Sequence, residues 1–252
     1  MSSSYDRCIK GSDDRYIISF AEETSPTGLG FMMGSDSHPT IPIPGLYYFP
    51  GPVLDSATYN LAMRTYSGST ASSKAVEWET VGKGATSRKV VHYGYKYNYA
   101  TKKTNEPAAA MPSMIRNMRS IVKANIAEFT PPGLGGEFPL NQCIVNAYEP
   151  GQGINAHTDH FDYDDFVCCF TLGSGATMVF TNSAGKTVEL WANPNSLYVM
   201  SGDARYKWTH ALPQRKSDVV GGTNEVGRPS DGTRVPRGKR ISITFRSLKP
   251  KN

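Results

Sequence analysis

The spacing of apolar positions divides the chain into a stretch with helical period and a stretch with strand period. From Gln142 onward, short runs that are apolar or alternate apolar with polar follow one another: CIVNAY, FVCCFTL, ATMVFT, TVELW, SLYVMS and RISITFRSL. Gly173, Gly175, Asn182, Gly185, Asn193 and Gly202 interrupt them at intervals of about ten residues, the pattern of an antiparallel sandwich or jelly roll. Upstream, Asp55 or Ser56 can cap a helix in LDSATYNLAMRTY that carries Leu61 and Met63 to a core. Pro112 fits the first turn of a second helix, whose Ile115, Met118, Val122 and Phe129 form one apolar stripe. Between the helices KVVHYGYKYNY is aromatic and β-prone. The predicted class is mainly β (α+β): a jelly roll with two or more helices supporting one sheet.

Residues 1–40 are rich in Ser, Gly and Asp and read as an irregular arm, with room for a short strand at Tyr16–Phe20. Residues 41–252 are expected to form a single domain. Within it, Lys216 to Gly238 holds five glycines and three arginines and reads as a long mobile loop.

Composition narrows the class. At 252 residues, with 38% hydrophobic and 19% charged, the chain is ordinary for a globular protein, and it lacks an apolar run near the roughly 20 residues a membrane helix needs. The N-terminus has no apolar secretory core, so the expected compartment is intracellular, cytoplasmic or nuclear, and the protein is not secreted. Cys8, Cys143, Cys168 and Cys169 have no zinc-ribbon spacing and read as buried thiols, with adjacent Cys168 and Cys169 on opposite faces of a strand. Residues 205–252 hold 12 Lys and Arg against three acids, or +9, which leaves −4 for the rest of a chain of net +5. That basic fifth suits a polyanion or is simply a solvated face.

Candidate chemistry begins with His157 and Asp159, which share one face of an extended segment with Cα atoms roughly 6.6 Å apart. Such a pair either shares a metal or caps the preceding EPGQGIN turn. His210, in WTHAL, can supply the second imidazole of a two-histidine, one-carboxylate facial triad, which leaves positions free for a bidentate oxo-acid and dioxygen on Fe(II). His38, His92 and His160 read as core or surface histidines. Arg240, Ser242, Thr244 and Arg246 alternate with Ile241, Ile243 and Phe245, so one strand face is polar and points inward while the other packs under a helix. A buried guanidinium needs a partner, either an internal carboxylate or a bound acid. Asn146 and Tyr148 repeat the arrangement beside the HxD segment.

Taken in order, NAY, HTD, His210 and RISITFR resemble the AlkB family of Fe(II)/2-oxoglutarate oxygenases, whose pattern is NxY, HxD, a distal His and RxxxxxR. The resemblance spans roughly residues 41 to 248, and HYGYKY, NAYEPGQGINAHTD and SGDARYKWTHAL look most like the oxygenase domain of the member that modifies wobble uridine in transfer RNA. It implies a double-stranded β-helix using Fe(II), 2-oxoglutarate and O2. His157, Asp159 and His210 would hold iron; Asn146, Tyr148, Arg240 and Thr244 would hold 2-oxoglutarate; and Arg246 would close the site beside Asp159. Where demethylating members often carry a base-reading acid, this chain has Phe161, which makes stacking on a base the alternative.

The implied function is oxidation of a modified base in nucleic acid, by demethylation or hydroxylation, with release of succinate and CO2. Alternatives are hydroxylation of a wobble-uridine or protein side chain, a jelly-roll binding module without turnover, and a zinc hydrolase on the same barrel. Tyr93, Tyr95 and Tyr97, interleaved with Lys96 near Arg88, suit either nucleic acid or one core face of a strand. Tyr206 and Trp208 line the cavity or pack in the core. The expected partner is RNA or DNA, with no membrane, and the protein is expected to be a monomer.

Overall fold

The computed structural model describes residues 8–10, 15–18, 105 and 220 as backbone, and residues 43–68, 76–104, 106–127, 138–219 and 232–249 with side chains. The strands are β1 (Cys8–Lys10), β2 (Arg15–Ile18), β3 (Leu46–Phe49), β4 (Glu79–Val81), β5 (Arg88–Tyr93), β6 (Tyr95–Asn98), β7 (Lys103–Pro107), β8 (Gln142–Tyr148), β9 (Ile154–His157), β10 (Tyr163–Gly173), β11 (Ala176–Asn182), β12 (Thr187–Ala192), β13 (Ser196–Met200), β14 (Trp208–Leu212), β15 (Ser217–Val220), β16 (Thr233–Pro236) and β17 (Arg240–Leu248). The α-helices are α1 (Ser56–Tyr66), α2 (Ser113–Ala127) and the short α3 (Gly202–Tyr206). A major sheet runs β3-β13-β10-β17-β8-β5-β4 and a minor sheet β1-β2-β12-β11-β14-β9. All neighbours in them are antiparallel except β2 and β12, so the jelly-roll expectation holds.

Two apolar layers form because every central strand of the major sheet is apolar toward the helices while β10 and β13 are apolar on the other face as well. Val145, Cys168, Phe170, Ile241, Ile243 and Phe245 meet Ala62 and Tyr66 of α1 and Ile115, Met118 and Val122 of α2. Val167, Cys169 and Tyr198 turn the other way and meet Met178, Phe180, Leu190 and Trp208 of the minor sheet. Cys168 and Cys169 thus serve different layers, as the two-residue period of a strand dictates. Cys143, Cys168 and Cys169 are free and buried.

Both long helices start where expected. The Asp55 carboxylate accepts from the Thr58 N–H at 2.9 Å, and the Pro112 carbonyl accepts from Arg116 N–H at 2.9 Å. On α1, however, Leu61 is 43% exposed: the buried stripe is Ala62 and Tyr66 with Met63 half-buried, one residue out of phase with Leu61. Phe129 and Phe20 lie outside the described residues; β2 occupies the first part of the strand expected at Tyr16–Phe20. The aromatic segment splits into β5 and β6 at Gly94 (φ +77°), where a Cβ would fall 1.9 Å from the Asn141 carbonyl oxygen.

The segment expected as one long loop corrects that reading at both ends. β15 and β16 pair antiparallel, flanking residues 221–231, which lie outside the described residues. The hairpin is held by Asp218, fully buried, which accepts from Arg237 at 2.5 and 2.8 Å and from Arg215 at 2.7 Å. Charges that look solvated in the sequence are here spent on each other. Burial pushes the Asp218 carboxyl up, but Arg237 and Arg215 hold it below its usual range. Asp218→Ala strands Arg237 in the interior and is expected to destabilise the protein by about 3–5 kcal/mol. Because the folded carboxyl is depressed, the lost contribution is the one present at neutral pH and absent below the unfolded value, so wild type and variant should converge in denaturant midpoint as pH falls; a constant gap would refute the ion pair.

The same economy reduces the basic fifth. Arg205, Arg237, Arg240 and Arg246 are all buried, so a third of its 12 cations face inward.

Candidate active site

The minor sheet brings the two histidines together. His157 ends β9 directly opposite His210 on β14, and their ring centroids are 4.4 Å apart. His157 Nδ1 lies 2.8 Å from the Asn155 carbonyl oxygen, which can only accept, so this nitrogen donates and Nε2 is the one left to meet a metal. Asp159, two residues past β9, is 8% exposed. Its Oδ1 is 2.6 Å from Arg246 Nη2, and its Oδ2 is 3.6 Å from His210 Nε2.

Protonation states follow from burial and neighbours. Burial alone pushes the Asp159 carboxyl up; Arg246, then His210 and His157, overcome it and bring it down to about 2. Burial, then His157, lowers His210 to about 3, so it is a neutral imidazole. An ionised carboxylate beside a neutral imidazole is the form in which these groups bind a divalent cation.

Fit to a metal can be judged from one orphaned atom. Asp159 Oδ2 is buried and has no hydrogen-bond partner, a costly state that a cation between it and the imidazoles removes. Among the described residues no three His, Cys, Asp or Glu donors are close enough to hold an ion without adjustment. Of this trio, Asp159 and His210 are buried and His157 is only partly buried.

On the neighbouring strands a carboxylate-sized demand is equally visible. Register sets Arg240 opposite Tyr148 and Ser242 opposite Asn146. Arg240 is 4% exposed; its Nη2 donates to Thr171 Oγ1 at 2.9 Å, its guanidinium lies 5.6 Å from the Tyr148 ring centroid, and its Nε has no partner. An internal ion pair therefore accounts for Arg246, which has Asp159, but not for Arg240. Thr244 is on the same face and 7% exposed. Asn146 Oδ1 accepts from Arg88 Nε at 2.9 Å, and its Nδ2 donates to Ser242 Oγ at 3.4 Å.

Two roles were missed in the sequence, where Arg88 stood only as a cation near the tyrosines and Arg205 only as part of the basic fifth. Arg88, 8% exposed, fixes which end of the Asn146 amide faces the pocket, a role legible only in the alternation of Arg88, Val90 and His92 along β5. Arg205 donates to the carbonyls of Asp159 (3.0 Å), His160 (2.7 Å) and Tyr163 (3.3 Å), holding the loop that carries Asp159, and no pattern announces it. Of the aromatics with two open readings, Trp208 and Tyr93 take the core one: Trp208 is in the inter-sheet core, and Tyr93 is in the helix-side core with its hydroxyl 3.1 Å from that of Tyr66. Tyr97 is nearer the loop, 6.1 Å ring to ring from His160. His92 and His160 are not brought into the trio, and His38 lies outside the described residues.

This fold and arrangement are those of a known class: a family profile for the 2OG-Fe(II) oxygenase superfamily matches residues 55–246, and the chain belongs to that superfamily. Membership brings Fe(II), 2-oxoglutarate and O2 as metal and co-substrates. Among particular relatives, the mouse tRNA (carboxymethyluridine(34)-5-O)-methyltransferase ALKBH8 is 34% identical over 172 residues, 64% of this chain and 25% of that protein. The Arabidopsis thaliana alkylated DNA repair protein ALKBH8 homolog is 30% identical over 189 residues, 66% of this chain and 51% of its own. Bovine alkB homolog 7, mitochondrial, is 31% identical over 116 residues, 45% of this chain and 48% of its own. The chain thus spans about a quarter to a half of these relatives. The OsALKBH1 structure superposes with a TM-score of 0.57 at 16% identity, covering 81% of this chain and 97% of that one, and shares the fold.

Proposed function

We propose that residues 41–252 form an AlkB-type oxygenase domain that oxidises a modified base in nucleic acid. His157, Asp159 and His210 hold the metal; Arg240, Asn146, Tyr148 and Thr244 hold 2-oxoglutarate; Arg246 fixes Asp159. The observation that carries this reading is the divided Asp159 carboxylate, one oxygen tied to Arg246 and the other bare beside His210. Iron held by these residues would supply the chemistry that links oxidative decarboxylation of 2-oxoglutarate to oxidation of a substrate C–H bond. One oxygen atom of O2 goes to succinate and one to the product alcohol, with CO2 released. If the oxidised carbon is attached to a base nitrogen, the hydroxymethyl product loses formaldehyde and the base is restored; if attached to carbon, the alcohol persists.

The protein's share is positional. Arg246 keeps the carboxylate ionised and oriented, Arg240 meets the distal carboxylate of the oxo-acid, and Arg88 holds the Asn146 amide with its NH2 toward the pocket. Substrate class is supported by the relatives, whose names refer to transfer RNA and alkylated DNA. The buried free thiols suit a reducing compartment.

The test is succinate formation from 2-oxoglutarate with added Fe(II), together with mass spectrometry of transfer RNA and methylated oligonucleotides. The wild-type protein should form succinate and shift a nucleoside mass by one oxygen or one methyl loss. His210→Ala should do neither while keeping its melting temperature within a few degrees. Succinate formation that survives His210→Ala at wild-type rate would eliminate this metal site.

A further inference from the structure

We propose that Phe161, backed by His160 and flanked by Lys249 and Tyr206, is a stacking platform for a base of single-stranded nucleic acid at the mouth of this site. The inference rests on the nucleic-acid reading above and adds the residues that would receive the strand. Phe161 is 73% exposed, only two residues beyond Asp159. One face of its ring is covered by His160, with centroids 4.2 Å apart and planes 31° from parallel, so the opposite face is the one turned to solvent.

This exposure is built into the loop. Arg205 grips the carbonyls of Asp159, His160 and Tyr163, and Lys249 Nζ donates to the Phe161 carbonyl at 2.8 Å. Lys249 N–H donates to Asp162 O at 2.9 Å, and Tyr163 N–H to His160 O at 3.1 Å. A backbone tied at every residue from 159 to 163 fixes the point from which the ring leaves the loop.

The ammonium between the rings suits a nucleotide better than a bare apolar partner. The Lys249 ammonium sits beside the platform and 6.0 Å from the centroid of Tyr206, a second exposed ring, 47% accessible, with the Arg205 guanidinium 4.8 Å from it. Nearby carboxylates are engaged: Asp162 accepts from Thr104 at 2.5 Å and lies 3.4 Å from His160, Asp164 accepts from Asp165 N–H at 2.9 Å, and Asp165 from Gly202 N–H at 2.9 Å. Ring, cation and ring in sequence match base, phosphate and base along a strand.

Binding of a labelled single-stranded oligouridylate, followed by fluorescence polarisation, tests this. A second strand of equal length carries abasic nucleotides at its centre. Phe161→Ala, at a position exposed enough to leave the fold intact, should weaken binding of the intact strand about 5- to 150-fold. Phe161→Trp should restore it, and the abasic strand should bind wild type and Phe161→Ala alike. Lys249→Gln should lower the salt slope by about one. If Phe161→Ala binds the intact strand as tightly as wild type, the platform is wrong although the nucleic-acid reading stands. If wild type binds neither strand, both fail.

Discussion

Arg246→Met is expected to destabilise the protein by about 3–5 kcal/mol and to weaken metal binding about 10- to 100-fold. The two effects have one origin. Asp159 is nearly inaccessible, and Arg246 is the strongest of the charges that keep it ionised against burial. Without the guanidinium the carboxyl stays buried and its pKa rises. In wild type the folded carboxyl titrates near 2, below its ordinary 3.8, so its contribution is complete above the unfolded value and disappears as pH falls toward 2. In the variant that contribution is gone already at neutral pH, so denaturant midpoints should differ most at pH 7 and draw together in acid. Guanidinium titrations at a series of pH values, paired with calorimetric titration of Mn(II), read both effects. A midpoint unchanged at pH 7 would show that the pair contributes no stability.

Arg240→Met should act in the opposite direction on the ligand-free protein. Arg240 lies buried without a carboxylate among the described residues, so replacing it by an apolar chain of similar length leaves the melting temperature unchanged or raises it. Its loss should cost about 2–5 kcal/mol of 2-oxoglutarate affinity, because the ligand's carboxylate then has no charged partner. Melting curves with and without the oxo-acid separate the two: wild type gains about 2.7 kcal/mol at a hundredfold excess over Kd, and the variant gains almost nothing. A variant that is less stable and still protected by 2-oxoglutarate would mean that Arg240 serves the fold and another group anchors the acid.

What could be read in advance was whatever repeats with a period. The β17 alternation put Arg240, Ser242, Thr244 and Arg246 on one face and Ile241, Ile243 and Phe245 under the helices, and the register with Asn146 and Tyr148 followed the same rule. Proximity of His157 and His210 was suggested by residue type and by the family pattern, not by spacing, since 53 positions separate them and strand pairing alone closes the gap. The β15–β16 hairpin was missed because its stability comes from Asp218 with Arg237, and polar content conceals a buried pair. Arg205 was invisible for a related reason: its partners are backbone carbonyls, which no side-chain pattern records. Leu61 went astray because the stripe of α1 is set by what α2 and the sheet leave uncovered, a tertiary matter.

β9 is the outermost strand of the minor sheet, matched to β14 at just two positions with a slip in register between them. An ion gripped by His157 from one strand and His210 from the other would fasten that border like a clasp. Fraying of the border and release of the ion then become a single equilibrium, and whatever tightens either one tightens the other by the same factor.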